Sequence, residues 1–371
     1  MDFASSHRKA LRRSVCASLI LLGACGGGSD DSGGGSGMGY VATSLVSDVS
    51  TSSNPYSSPN VDAHLVNAWG VAFNPQGFVW VANNATSTST LYDGSGVPQS
   101  LVVAIPAGTA GPAKPTGIVY SGTQSFPVSQ GGLTGPSRFV FASEAGTIAG
   151  WAPNVNLTNA ITVFDGAAAG KIYKGLAIGS AAGADRLYAA DFHNGTVDVF
   201  DANFAPVTVA GGFIDATLPV GYAPFGIQVI GSLVYVAYAK QDAAQEDDVT
   251  GAGLGIVNTF DLSGNLVKRL IPAGGKLNAP WGIAMAPANF GAFSNALLVG
   301  NFGDGRINAY DPTTGASLGT LSTPSGTPIA IDGLWGIAFG NGINSQPVNT
   351  LFYAAGPVDE THGVYGRIDS H

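Results

Sequence analysis

The chain has 371 residues, of which 54 are glycine, 45% are hydrophobic and 11% are charged. So much apolar residue can bury a large core, which excludes a disordered protein. Helix formers are scarce beside Gly, Thr, Val, Asn and Ser, and this predicts an all-β fold. Because the formal net charge of −9 repels phosphate backbones, we expect no nucleic-acid partner.

The first residues predict export. A basic segment with Arg8, Lys9, Arg12 and Arg13 precedes the apolar residues 15–22, as in a signal peptide. Leu22-Gly-Ala-Cys25 resembles a lipobox, in which the cysteine is lipidated and becomes the mature N-terminus. We therefore expect residues 1–24 to be a lipoprotein signal peptide and Cys25 to be lipidated. An ordinary secretory signal cut nearby is the alternative.

Residues 25–39 predict a lipidated cysteine followed by a Gly/Ser linker, with a reach of about 20 Å as a random coil. Gly26 after the cysteine resembles bacterial lipoproteins of the outer membrane, so we expect such an address, facing the periplasm or the cell surface. The membrane would be contacted only through the anchor. The mature chain has 11 basic and 23 acidic residues, a net charge of −12, and no cysteine beyond Cys25.

Six copies of one unit fill the rest of the chain. Each copy has an apolar strand containing a glycine, a second apolar strand, a polar turn and an alternating third strand, most clearly in residues 280–311. The spacing of the marker glycines, 47 to 58 residues, is typical of one propeller blade per copy. They are Gly70, Gly117, Gly175, Gly226, Gly282 and Gly336. We predict a six-bladed β-propeller over residues 40–371.

The two ends of the repeat region predict how the ring closes. Outer fourth strands are visible at residues 99–105, 266–271 and 316–321, but the sixth copy stops after Ile368 without one. A strand-like run at residues 40–47 belongs to no copy. We predict that it supplies the outer strand of the last blade and so removes the open sheet edges.

The motifs Pro280-Trp-Gly-Ile-Ala284 and Arg306-Ile-Asn-Ala-Tyr-Asp311 resemble the NHL repeat. This resemblance implies a six-bladed propeller and is silent on activity. The whole chain also resembles an uncharacterised family of exported bacterial propeller proteins. That likeness is carried by Asn67-Ala-Trp-Gly-Val-Ala72 and Ser89-Thr-Leu-Tyr-Asp-Gly-Ser-Gly96.

In a propeller, the loops that enter the inner strands and the loops that join second to third strands share one face, here called the pore-mouth face. We expect polar side chains to gather there as a binding surface, namely Asn67, Asp191, His193, Asn278, Asn301, Asp304 and Asp332. The alternative is that Asn and Asp serve the tight turns themselves. Lys174, Arg306 and Arg367 are expected to meet carboxylates in these turns.

The longest of these loops, residues 240–250, is the candidate metal site. It contains Asp242, Glu246, Asp247 and Asp248. It is too acidic and too long for a minimal turn, and converging carboxylate oxygens suit a hard cation such as Ca²⁺. No other cofactor is expected.

Four aromatic residues stand immediately before a marker glycine, namely Trp69, Phe225, Trp281 and Trp335. One interpretation is a ring at the pore mouth that stacks on a sugar or another flat ligand. We favour the other, in which they fill gaps between neighbouring blades.

Two functions fit these patterns. The first is a monomeric, non-catalytic binding or scaffolding module for a protein, a glycan or a small molecule. The second is a Ca²⁺-dependent hydrolase or lactonase. The six-bladed lactonases and related hydrolases place Glu, Asn and Asp before the inner-strand glycine in several blades. Here those positions hold Trp69, Thr116, Lys174, Phe225, Trp281 and Trp335, none of them acidic, and we favour the binding module.

Overall fold

The computed structural model describes residues 38–50, 58–181 and 183–371. In these residues six antiparallel sheets stand as the blades of a propeller, which confirms the predicted fold. The predicted signal peptide, Cys25 and all of the linker before Met38 lie outside the described residues. No helix in the described part of the chain has the length and apolar composition to cross a membrane.

Two strands, β1 (Tyr40–Ser47) and β2 (Asn60–Val61), precede the first blade. Blade 1 contains β3 (Ala68–Phe73), β4 (Val79–Asn83), β5 (Thr88–Tyr92) and β6 (Pro98–Ala104). Blade 2 begins with β7 (Pro115–Tyr120), which leads into an inserted hairpin of β8 (Pro127–Gln130) and β9 (Leu133–Pro136). It continues with β10 (Phe139–Ser143), β11 (Thr147–Trp151) and β12 (Ile161–Asp165). Blade 3 contains β13 (Tyr173–Ala181), β14 (Ala184–Asp191), β15 (Thr196–Phe200) and β16 (Pro206–Val207).

Blade 4 contains β17 (Tyr222–Ile230), β18 (Leu233–Gln241), the short β19 (Asp248–Val249), β20 (Ile256–Asp261) and β21 (Leu266–Ile271). Blade 5 contains β22 (Pro280–Met285), β23 (Leu297–Asn301), β24 (Ile307–Tyr310) and β25 (Ser317–Thr320). Blade 6 contains β26 (Leu334–Phe339), β27 (Leu351–Ala355) and β28 (Val364–Ser370), completed by β1. Single 3-10 turns lie at Ala167–Ala169 and Gly291–Phe293.

Burial within each blade follows strand position. The second strands of blades 1, 2 and 5 are buried at every residue, because both sheet faces are covered by neighbouring blades. These strands therefore read as continuous apolar runs. The outer strand Leu266–Ile271 exposes its first three residues to solvent.

The marker glycines lie where neighbouring inner strands approach most closely. A Cβ on Gly70 would stand 2.6 Å from the Thr116 carbonyl oxygen of blade 2, and one on Gly282 would stand 2.6 Å from the Trp335 carbonyl oxygen of blade 6. A Cβ on Gly336 would meet the Trp69 backbone of blade 1, which closes the circle. Glycine recurs at this position because a larger residue would push adjacent blades apart.

The predicted closure is confirmed. β1 pairs antiparallel with β28 from Tyr40–Ser370 to Ser47–Val364, with one irregularity between Ser44 and Val46. The Asp48 carboxylate extends this join, because it accepts a 3.0 Å hydrogen bond from the Gly363 N–H and lies 2.8 Å from His362 Nδ1. The last blade is therefore built from both ends of the propeller.

Candidate functional site at the pore mouth

The structure brings together the loops assigned to the pore-mouth face. The Asn67 side chain, before β3, donates to Glu360 Oε1 in the β27–β28 loop over 3.1 Å. The Asn278 side chain, before β22, accepts a 2.6 Å hydrogen bond from Gly251 N–H in the loop before β20. Contacts of this kind couple neighbouring blades along the polar rim of this face.

The four aromatic residues meet one another beneath this rim. Trp69 stacks on Trp335 with ring centroids 3.5 Å apart, and Trp281 approaches both edge-on, at 6.0 and 5.9 Å. The ring of Phe225 lies 5.7 Å from that of Trp335. Because blades 1 and 5 are not neighbours, the contact between Trp69 and Trp281 crosses the propeller axis.

This arrangement bears on both interpretations of the aromatic residues. Trp69, Phe225 and Trp335 are buried, so they do not form an open ring that could stack on a ligand. They do pack between neighbouring blades, as Trp69 does on Trp335, and the converging inner strands also bring them together across the axis. They close the axis as an aromatic plug, made of Trp69, Phe225, Trp281 and Trp335.

A buried lysine lies beside this plug. The Lys174 side chain is 3% exposed, and its ammonium forms ion pairs with Glu144 and, at 3.1 Å, with Asp247. The same ammonium lies 5.5 Å from the centroid of the Trp69 ring. Trp281 Nε1 donates to the Lys174 carbonyl oxygen over 2.7 Å, so the plug also holds the lysine backbone. Blades 2, 3 and 4 thus meet at one internal cation.

Asparagine side chains extend the network from the lysine to the plug. Asn84 Nδ2 donates to Glu144 Oε2 over 3.1 Å, and Asn67 Nδ2 donates to Asn84 Oδ1 over 3.3 Å. Asn67 Oδ1 accepts a 2.9 Å bond from Trp69 Nε1. Asn67 adopts a left-handed backbone with φ of 50°, a conformation that asparagine tolerates better than most residues. It is therefore both a turn residue and a member of the network.

The two paired groups of the network are held in their charged forms. Burial alone would raise the pKa of Glu144, but the Lys174 ammonium and the Asn84 amide outweigh it, and the pKa is lowered. Burial alone would lower the pKa of Lys174, yet Glu144 and Asp247 raise it above its usual value. Such mutual stabilisation is what a buried ion pair requires.

Two further carboxyl groups carry the opposite shift. Burial raises the pKa of Asp248 to about 7, helped by the charges of Asp247 and Glu360 and opposed by Lys174. Burial and the charge of Glu144 also raise the pKa of Glu360, although Asn67 donates a hydrogen bond to it. One internal ammonium therefore does not balance the acidic groups around it.

The acidic loop is an extension of β18 and not an open turn. Lys240 pairs with Val249 and Gln241 with Asp248, and the Asp242 side chain accepts the Glu246 N–H over 3.0 Å. Asp247 faces Lys174, while Asp248 Oδ2 is buried without a hydrogen-bond partner among the described residues.

The Ca²⁺ hypothesis for this loop does not fit these positions. Within residues 38–50, 58–181 and 183–371, no three His, Cys, Asp or Glu side chains are grouped to hold a metal ion. Asp242 accepts backbone N–H groups of its own loop and Asp247 pairs with Lys174, so the carboxylates of Asp242, Glu246, Asp247 and Asp248 do not form one ligand set. The cation beside this loop is the protein's own Lys174 ammonium.

A cleft of about 310 Å³ opens next to the network, and we call it the mouth cleft. The loop of blade 4 reaches across blade 3 to form one wall with Glu246 and Asp247. Glu144 and the exposed Lys114 of blade 2 stand on the other side. The cleft is open to solvent and bordered by three carboxylates and one exposed ammonium.

The remaining predicted residues mostly serve their own turns. Asp191 accepts hydrogen bonds from the Asn194 backbone and side chain and forms a 3.1 Å ion pair with Lys171. Asp304 accepts from Asn301 over 3.0 Å, and the exposed Asp332 accepts from Val358 N–H over 2.9 Å. His193 Nδ1 is buried, and it has no hydrogen-bond partner in the described residues. None of these side chains lines the mouth cleft.

Three important residues carried only weak signals in the sequence. Lys174 stands at a position where four other blades place an aromatic residue, so a charged side chain there required a buried partner. Its partner Glu144 is contributed by a loop 30 positions away. Glu360 is one acidic residue in a polar turn, and no local pattern distinguishes it.

The relatives of this chain include viral proteins. An uncharacterized protein of Acanthamoeba polyphaga mimivirus is 35% identical over 319 residues, which are 83% of this chain and 76% of the viral protein. The chain belongs to this family of uncharacterised proteins. A second mimivirus protein is 32% identical over 315 residues, 83% of this chain and 81% of that protein. No family model matches the chain.

A solved structure shows the same fold. It is a protein of unknown function from Bacteroides thetaiotaomicron, 11% identical, which matches with a TM-score of 0.51. The match covers 83% of this chain and 70% of that protein. At this identity the likeness extends to the fold alone. The exported bacterial family expected from the sequence stays a prediction.

Proposed function

We propose that the protein is a monomeric, non-catalytic binding module whose mouth cleft takes a small ligand bearing a positive charge. The observation that supports this most directly is the excess of acidic groups around one buried ammonium. Glu144 and Asp247 are paired with Lys174, whereas Glu246 lines the cleft without an ion pair among the described residues. Asp248 and Glu360 do not line the cleft, but they add acidic groups to the same network and form no ion pair in the described chain. A ligand ammonium or guanidinium would supply the missing charge.

The pKa shifts make this proposal specific. The pKa values of Asp248 and Glu360 are raised because burial disfavours their charged forms and neighbouring carboxylates add negative charge. A bound cation would stabilise their ionised forms, so binding would release protons near neutral pH. Affinity for the ligand therefore rises as pH increases through the Asp248 pKa of about 7.

Calorimetric titration of the full chain with spermidine tests this proposal at pH 6 and pH 8. We expect binding about 3- to 10-fold tighter at pH 8, since coupling between a charge and a titrating group has this size. Equal affinity at the two pH values, or no binding at either, would contradict the proposal.

Matched variants locate the site. Glu246→Gln and Asp248→Asn should each weaken spermidine binding, and Asp248→Asn should also remove most of its pH dependence. Asp311→Asn is the control, because this exposed carboxylate serves the turn between β24 and β25 at the other end of blade 5. A loss of affinity equal to that of the control would point to non-specific attraction by the acidic chain.

The hydrolase alternative finds no support in the site. Its Ca²⁺ ligands were to come from the acidic loop, and those carboxylates do not form a metal-binding group in the described residues. In addition, the aromatic plug fills the propeller axis and so blocks the path by which a substrate would reach the inner strands.

Export and lipid anchoring complete the proposal. The basic and apolar segments before Cys25 support a lipoprotein signal, and residues after it support a tether. Expression in a bacterial host with labelled palmitate should label the wild-type protein in the outer membrane fraction. Cys25→Ala should remove both the label and the membrane association, and a labelled Cys25→Ala protein would exclude Cys25 as the anchor.

A further inference from the structure

A second cleft lies between blades 1 and 2, at the end of the blades opposite the pore mouth. Antiparallel strands place the β3–β4 turn and the β4–β5 loop at opposite ends of a blade, and this cleft is bordered by the β3–β4 turn, residues 74–78. Its volume is about 560 Å³. It shares no lining residue with the mouth cleft. We call it the blade 1–2 cleft.

Aromatic rings form its inner wall. Trp80 of blade 1 stacks on Phe139 of blade 2, with centroids 4.1 Å apart and planes at 20°. Trp151 lies 4.7 Å from Trp80, and Tyr120 packs against Phe139 at 5.4 Å. Trp151 Nε1 donates to the Leu157 carbonyl oxygen over 2.9 Å, which fixes its ring. The wall is therefore preformed. Its partly exposed member, Tyr120, presents a ring edge or face to a ligand at the opening of the cleft.

Arg138 is the one charged residue among those that line this cleft. Its backbone is held on both sides, by the Arg138 N–H bond to the Trp151 carbonyl at 2.7 Å and by the Ser121 N–H bond to the Arg138 carbonyl at 2.9 Å. The guanidinium donates once, from Nη1 to the Thr123 carbonyl at 3.0 Å. No described carboxylate forms an ion pair with it, although the chain has 24 acidic residues.

We propose that the blade 1–2 cleft is a second binding site, selective for a small planar anion. The ligand is a flat ring that carries a carboxylate, sulfonate or phosphate group. Its ring lies against the aromatic wall at Tyr120, and its anionic group takes the free donors of Arg138. A guanidinium presents paired donors to such groups and also stacks on flat rings, so both parts of the ligand are matched.

Two fluorescent probes of similar shape test the proposal on the full chain. 8-Anilinonaphthalene-1-sulfonate carries the anion, and N-phenyl-1-naphthylamine is its neutral analogue. The sulfonate should bind one saturable site, with energy transfer from the tryptophans of the cleft. Arg138→Gln should weaken the sulfonate about tenfold or more and leave the neutral probe nearly unchanged. Arg138→Lys should keep part of the sulfonate affinity because it keeps the charge.

Arg306→Gln is the matched control, because this exposed arginine lies on the pore-mouth face of blade 5. Arg306→Gln should leave the affinity for both probes unchanged. Asp248→Asn should also leave the affinity for the sulfonate unchanged. Near-ultraviolet circular dichroism shows whether each variant remains folded. The proposal is wrong if the wild-type chain does not bind the sulfonate. It is equally wrong if Arg138→Gln has no effect, or weakens both probes alike in a folded protein.

Discussion

The mouth cleft and the blade 1–2 cleft differ in whether their basic side chain is paired with carboxylates. At the mouth, Lys174 is buried and neutralised by carboxylates from two other blades. In the blade 1–2 cleft, Arg138 is half-buried and has no carboxylate partner in the described chain. A charge that is satisfied internally supports the structure, whereas an uncompensated charge near the surface is available to a ligand. Substitutions should therefore separate stability from binding at the two sites.

The largest expected effect is the loss of the internal cation. Lys174→Met keeps the length of the side chain but leaves the Glu144 carboxylate, 19% exposed, without its partner. We expect a loss of about 3–5 kcal/mol in the free energy of unfolding. Urea unfolding measures it. Lys114→Met is the control, since Lys114 is exposed in the same cleft, and it should change stability by less than about 0.5 kcal/mol. Equal effects of the two changes would show that Lys174 has no special role.

The second effect is a dependence of stability on pH. Asp248 has a folded-state pKa of about 7, above the ordinary aspartate pKa of 3.8 that applies in the unfolded chain. Between these values the folded state binds more protons than the unfolded state, so stability falls as pH rises and levels off above pH 7. We expect the free energy of unfolding to fall by about 2–3 kcal/mol between pH 5 and pH 8.

Asp248→Asn should remove most of this loss, because the amide does not titrate. Unfolding curves at several pH values check both statements. A wild-type protein that is more stable at pH 8 than at pH 5 would contradict the burial of Asp248. Carboxyl groups with a lowered pKa, such as Glu144, change the stability of the protein only below pH 5. They therefore do not affect the comparison between pH 5 and pH 8.

A smaller effect is expected in the wall of the blade 1–2 cleft. Trp151→Phe keeps an aromatic ring but removes the 2.9 Å hydrogen bond to the Leu157 carbonyl. The free energy of unfolding should fall by about 1 kcal/mol, the usual net value of such a bond. Thermal or urea unfolding measures the change. Sulfonate binding should survive in this variant, since Arg138 and Tyr120 are retained, and its complete loss would show that the ligand depends on the tryptophan.

The smallest effect on stability is expected at Arg138 itself. Arg138→Gln removes one hydrogen bond to an exposed loop and no ion pair, so the free energy of unfolding should change by less than about 0.5 kcal/mol. The same urea titration provides the measurement. A loss comparable to that of Lys174→Met would make Arg138 a structural residue and remove the contrast between the two clefts.

Much of the fold could be predicted because its signals are local. The six marker glycines, the apolar second strands and the unassigned run at residues 40–47 each follow from short-range pattern. The outer strands of blades 2 and 3 were not predicted, because Ile161–Asp165 is partly exposed along most of its length and Pro206–Val207 has only two residues. The inserted hairpin at residues 127–136 was also missed, since Gly and Pro there read as loop.

The site was harder to predict because its contacts join distant blades. Lys174 and Asp247 are 73 positions apart, and no periodic pattern in the sequence predicts their pairing. The acidic loop suggested a metal ligand set from composition alone, yet one of its carboxylates caps a turn and another faces the lysine. Composition identified a charged loop, and only the three-dimensional arrangement identified its counter-charge.

The join between β1 and β28 also bears on synthesis. Asp48 and Gly363 are 315 positions apart, so a growing chain must leave the ribosome almost whole before these residues can meet. Until then the early sheets can stack on one another only as an open spiral, with bare strand edges at both ends. A chain that lacks the last seven residues could not form this join and would keep its strand edges open. Such a truncated chain should be captured by chaperones or aggregate.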